Sequence, residues 1–124
     1  MSEEKEVRLM VVEGVDKRQY KVEPRVEVRG KSMAEVDAGA LVNSAFCITK
    51  KYFEQSNEEI IDLLKIESQA HDRATPDLIT RSVEELKKRA QRPQCQDYLE
   101  VVERTVYLIK ETGLLPRENE DASS

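Results

Sequence analysis

The sequence predicts an α+β fold: an N-terminal β-hairpin or three-stranded antiparallel ribbon packed on about four α-helices. Three observations carry that expectation. The stretch YKVEPRVEVRG, Tyr20 to Gly30, alternates strictly between apolar or near-apolar and charged residues, which is the period of a half-buried extended chain. Two Ser-x-x-Glu boxes, Ser32 with Glu35 and Ser56 with Glu59, and a Thr-Pro pair at Thr75 and Pro76 mark three helix starts. Apolar residues then recur at helical spacing as far as Gly113.

The ribbon is expected over 7–29. VRLMVVE, Val7 to Glu13, is rich in β-branched residues and leads into the turn-like GVDK. The alternating stretch follows as a second strand. Pro24 donates no ladder hydrogen bond, so it marks an edge, a bulge or a break into two strands. A ribbon of this size is not stable alone in water, so the apolar face of Tyr20, Val22, Val26 and Val28 must rest on the helices, on a partner, or on both.

The helices occupy 32–113. The first runs from Met33 to about Glu54 with Met33, Val36, Ala40, Leu41, Ala45, Ile48 and Tyr52 on one stripe and Val42, Phe46 and Phe53 on a second. So wide an apolar surface suits a central helix. Gly39 costs about 1 kcal/mol there relative to Ala, and its lack of a side chain would permit a close helix or strand approach. A second helix, through Ile60, Ile61, Leu63, Leu64 and Ile66, reaches about Ala70. The third starts at Pro76 and buries Ile79, Val83, Leu86 and Ala90, with Glu84–Lys88 and Glu85–Arg89 pairs on its wet side. The fourth spans about Gln94 to Thr112, with Cys95, Leu99, Val102, Val106 and Ile109 as a narrow seam. One domain is expected over 1–116 and a disordered acidic tail over 117–124.

Composition narrows the function classes. Charged residues make up 36% of the 124 and apolar ones 39%, enough to fold without a metal or disulfide framework. No apolar run is long enough for a membrane span, and MSEEKE lacks the features of a secretion signal, so a cytoplasmic location and no membrane contact are expected. Cys47 and Cys95 are expected as reduced thiols in the core. The net charge of −5, with 4 basic against 8 acidic side chains in 32–74, argues against general affinity for nucleic acid.

No catalytic constellation emerges. His71 is the single histidine, with Glu67 one turn before it and Asp72 after it. Two ligands are too few for a metal centre, and the spacing differs from that of di-iron bundles. The four glycines are scattered and form no phosphate cradle. Asp37 stands out inside MAEVDAGALV; buried there, its carboxyl would be pushed up by desolvation, whereas on a polar sliver of the helix it would be unremarkable chemically. A small enzyme using Asp37, Glu67 or Asp72 is the least motivated reading. No enzyme activity, cofactor, metal or small-molecule substrate is expected.

What remains is a non-catalytic protein–protein interaction module, an adaptor, regulator or assembly factor, acting on a protein partner or on itself as a homodimer. Its expected interfaces are the ribbon, through Tyr20, Val22, Arg25, Val26, Glu27, Val28 and Arg29, and the helix seam of Leu99, Val102, Val106 and Ile109. The competing reading is a nucleic-acid-binding regulator with a helix-turn-helix-like pair at 57–91, using Arg81, Lys87, Lys88, Arg89 and Arg92. A carboxylate at Asp77, near the start of its reading helix, counts against it.

Overall fold

The computed structural model describes residues 22–115, and the chain there is all-α. It comprises α1 (Met33–Lys51), α2 (Asn57–Gln69), α3 (Pro76–Ala90), a 3₁₀ helix (Pro93–Tyr98) and α4 (Leu99–Glu111). The expected α+β class is therefore overturned: among the described residues there is no strand and no sheet. Residues 7–21 of the expected ribbon and the expected tail at 117–124 lie outside the described residues.

Local signals explain the helix starts. At Ser32 and Ser56 the hydroxyl accepts the backbone N–H three residues on, and Glu35 or Glu59 reaches back to the serine N–H. Two otherwise orphaned donors are met at each end. Thr75 accepts the Leu78 N–H, with Pro76 at the first helical position. The first helix ends at Lys51, three residues earlier than expected.

The fourth helix differs more. Pro93 opens a 3₁₀ segment in which Cys95 N–H bonds Arg92 C=O, and α-geometry begins only at Leu99. That tighter segment buries Cys95 and brings Tyr98 edge-on to Phe46, with ring centroids 5.8 Å apart. Edge-to-face pairs of this kind add modestly to burial.

α1 is the central helix, as its two stripes imply, and packs against α2, α3 and α4. α4 touches both α2 and α3. Phe46, Val42, Ile60, Leu64, Leu86, Val102, Leu108 and Ile109 form the sealed centre of the core. Each such side chain contributes on the order of 2 kcal/mol by leaving water.

The segment 22–29 is extended but unladdered. It lies in the groove between α1 and α3, antiparallel to both: Val28 and Val26 meet Gly39, Val26 meets Asn43, Glu23 meets Lys50, and Glu27 and Val22 meet Glu85 and Gln94. A Cβ on Gly39 would sit 2.3 Å from Val28 Cγ1 and 3.2 Å from Val26 Cγ1. Only glycine lets this arm lie so close to α1.

Candidate functional site

The arm's alternation decides what each residue does. Pro24 and Val26 are buried and Val28 is half-buried, while Arg25, Glu27 and Arg29 face solvent. Helices satisfy their own backbone, but an extended chain outside a sheet must find partners elsewhere. Asn43 supplies them: its Oδ1 accepts the Val26 N–H at 2.8 Å and its Nδ2 donates to the Val26 C=O at 3.0 Å. One side-chain amide thus replaces one rung of a β-ladder. The Glu27 N–H bonds Glu85 Oε2 at 3.0 Å and the Val22 N–H bonds the Gln94 C=O at 3.0 Å.

Charges lock the arm at both ends. Glu23 bonds Lys50 and lies 3.3 Å from Arg25. The Lys50 ammonium holds the Glu23 carboxyl below the usual carboxylate range, and Glu23 in turn raises Lys50. Lys50 Nζ also stands 5.7 Å from the ring centres of both Phe46 and Tyr98. At the other end Glu85 gathers Lys31 at 3.6 Å and Arg89 at 3.3 Å, and Arg89 reaches Glu27 at 3.5 Å.

Beside the arm opens a cleft of about 590 Å³ lined by Val22, Pro24, Arg25, Glu27, Arg92 and Cys95, among others. Its floor is apolar and its rim charged. Glu23 holds Lys50 and Arg25 and Glu27 holds Arg89, whereas Arg92 is exposed and makes no ion pair among the described residues. On a chain of net charge −5 this is a locally basic spot.

Of the expected ribbon interface, Val22, Arg25, Val26, Glu27, Val28 and Arg29 are therefore gathered on one arm, and Tyr20 lies outside the described residues. The helix-seam expectation is corrected. Val102, Val106 and Ile109 are buried and Leu99 is half-buried against the same core, so the seam packs the chain's own interior.

The nucleic-acid set is dispersed. Arg81 lines a separate small hollow with Lys31 and Glu35, Lys87 pairs with Glu84 at 3.4 Å, Arg89 is spent on Glu85 and Glu27, Arg92 rims the cleft, and Lys88 is exposed. α2 and α3 pack on α1 rather than on each other, unlike the mutually braced pair of a helix-turn-helix.

The structure brings the histidine cluster together. His71 Nε2 lies 3.1 Å from Glu67 and Nδ1 3.9 Å from Asp37, whose other oxygen accepts the Arg73 N–H at 3.3 Å. Asp37 thereby ties the α2–α3 loop to α1, while Asp72 is exposed. Among the described residues no group of three or more His, Cys, Asp or Glu side chains is placed to hold a metal ion. Cys95 is buried, Cys47 half-buried, and both are free thiols.

Two residues escaped sequence reasoning. Asn43 is a polar side chain inside GALVNSAF, one turn after Gly39, a signal that pointed to a buried partner. Arg104 donates to the Phe53 and Gln55 carbonyls and to Asn57 Oδ1, and stacks 4.9 Å above the Phe53 ring. It braces the α1–α2 turn, and nothing in its spacing announces this. No helix among the described residues is long and apolar enough to cross a membrane. No protein-family model, curated protein or solved structure matches the chain.

Proposed function

We propose that the protein is a non-catalytic protein–protein interaction module, an adaptor, regulator or assembly factor, whose docking face is the outer side of the arm and the cleft beside it. The observation that carries this reading is the arm's division of labour. Its inner side and much of its backbone are spent on α1 and α3, while Val22, Arg25 and Arg29 are held outward next to a cleft with an apolar floor and the exposed Arg92 on its rim. Arginine beside apolar surface is the composition that protein interfaces favour.

The partner that fits is a protein segment of acidic and apolar residues. Its carboxylates would meet Arg25 and Arg92 and its apolar side chains would cover the exposed Val22. A polyanionic duplex fits less well, because the basic side chains of α3 are divided among ion pairs and a separate hollow.

Selection of displayed acidic–apolar peptides on the full chain tests this. Selected peptides should bind with affinity that falls by about tenfold or more in Arg25→Glu/Arg92→Glu, the scale expected of losing charge-assisted hydrogen bonds. Peptides that bind that variant unchanged would contradict the assignment. A salt-sensitive mobility shift with mixed-sequence duplex would replace it by the nucleic-acid reading.

A further inference from the structure

We infer that the α1–α3 groove is a receptor for an extended segment and that two copies of the chain exchange their arms through it. This goes beyond the docking face proposed above, because it uses the arm's inner side and names the partner as a second copy.

The groove has the features of a peptide-binding site. It runs antiparallel to its occupant and reads the backbone of Val26 through both polar atoms of Asn43, at 2.8 and 3.0 Å. It grips the Glu27 N–H through Glu85 and the Val22 N–H through the Gln94 carbonyl. It takes the side chains of Pro24 and Val26 into the core and leaves a glycine, Gly39, where Val28 comes down. Backbone recognition combined with alternate side-chain burial is how extended peptides are captured. The occupant that demonstrably fits is 22–28 of this chain, and every copy carries one.

The connection to α1 permits the exchange. Arg29 and Gly30 form a tight turn, residues 29–32 are all exposed, and Gly30 has φ +74 with open space around its α-carbon. Few contacts resist straightening of this turn, and glycine adopts the extended conformation equally well. A straightened turn carries the arm away from its own groove and into that of a neighbour, with every arm–groove contact reproduced. Arm exchange of this kind is a low-cost route to a two-fold dimer.

The experiment weighs the full chain by sedimentation equilibrium over a concentration series, wild type beside Gly30→Pro. Proline cannot adopt φ +74 and also biases Arg29 toward extended backbone, so the closed turn is penalised and the open arm is not. The dimer midpoint should fall by roughly tenfold or more in Gly30→Pro. A second measurement mixes two differently labelled chains, Asn43→Ala with a damaged groove and Val26→Asp with a damaged arm. The two should associate with each other, one intact arm meeting one intact groove, and should not self-associate. Equal midpoints for wild type and Gly30→Pro, or labelled chains that stay apart, would overturn the exchange. Arg25→Glu/Arg92→Glu, which damages only the outer face, should leave it unchanged, so failure of one surface is distinguishable from failure of the other.

Discussion

The arm and α3 lie side by side on α1, both have one apolar and one charged face, and they are held in different ways. α3 satisfies its own backbone, and its ends are finished by Thr75 and the helix's basic last turn. The arm has no such internal supply and borrows from Asn43, Glu85 and Gln94. Periodicity therefore reports which side of a segment is wet, whereas the origin of its hydrogen bonds is decided by whatever tertiary groups come within reach.

The difference predicts where the molecule is most easily broken. Asn43→Leu has the largest expected effect. It leaves the Val26 N–H and C=O without partners in a partly buried groove, and should cost about 2–3 kcal/mol in denaturant unfolding. No single outward residue of α3 should cost as much. If Asn43→Leu unfolds like wild type, the arm is held by something other than that amide.

Gly39→Ala sharpens the contrast further. Helix propensity alone favours alanine by about 1 kcal/mol. Here the added methyl meets Val28 and Val26, so net destabilisation of about 1 kcal/mol is expected as the arm is displaced. Adding Val28→Ala should recover much of that loss. A Gly39→Ala chain more stable than wild type would show that the arm does not press on α1.

An effect of similar size belongs to the helix side of the comparison. Ser56→Ala removes the capping box of α2 and should cost about 1 kcal/mol. The arm's contacts should be untouched, because the cap is local. Chemical shifts of Val26 and Glu27 that moved with this substitution would join the two regions more tightly than the structure does.

The Glu23–Lys50 pair gives the smallest effect. Glu23 is depressed, so the stability it adds is present at neutral pH and lost as pH falls through the acid carboxylate range. Lys50 is raised, so its share is present at neutral pH and lost only as pH rises beyond the usual lysine range. Both groups are partly solvated, and about 0.5 kcal/mol is expected. Glu23→Gln should flatten the acid limb of the stability profile by that amount. An unchanged limb would assign the acid sensitivity to other carboxylates.

What was legible in the sequence follows the same division. The starts at Ser32, Ser56 and Thr75 are local, set by side chains within four residues of the groups they cap, and they are where the sequence places them. The central position of α1 follows from its double stripe. The apolar side of the arm was legible at Pro24, Val26 and Val28, which turn inward, but not at Val22, which is exposed. Among the described residues there is no sheet to read: alternation fits any extended chain with one wet side, and Asn43, some 17 residues away, stands in for a strand. The candidate surfaces divide likewise. The outward arm residues carry the proposed docking face, but the α4 seam is internal, and a narrow apolar stripe looks alike whether it meets its own core or a partner. Arg104 was invisible because its acceptors lie on the turn between α1 and α2, far away in sequence.

Amide hydrogen exchange at Val26, in wild type and in Asn43→Ala, tests the central claim most directly. If a side-chain amide holds the arm, the Val26 N–H is protected in wild type and loses its protection in Asn43→Ala, while amides in the middle of α2 and α3 keep theirs. A Val26 N–H equally protected in both chains would mean that something other than the Asn43 amide holds the arm, and would contradict the account.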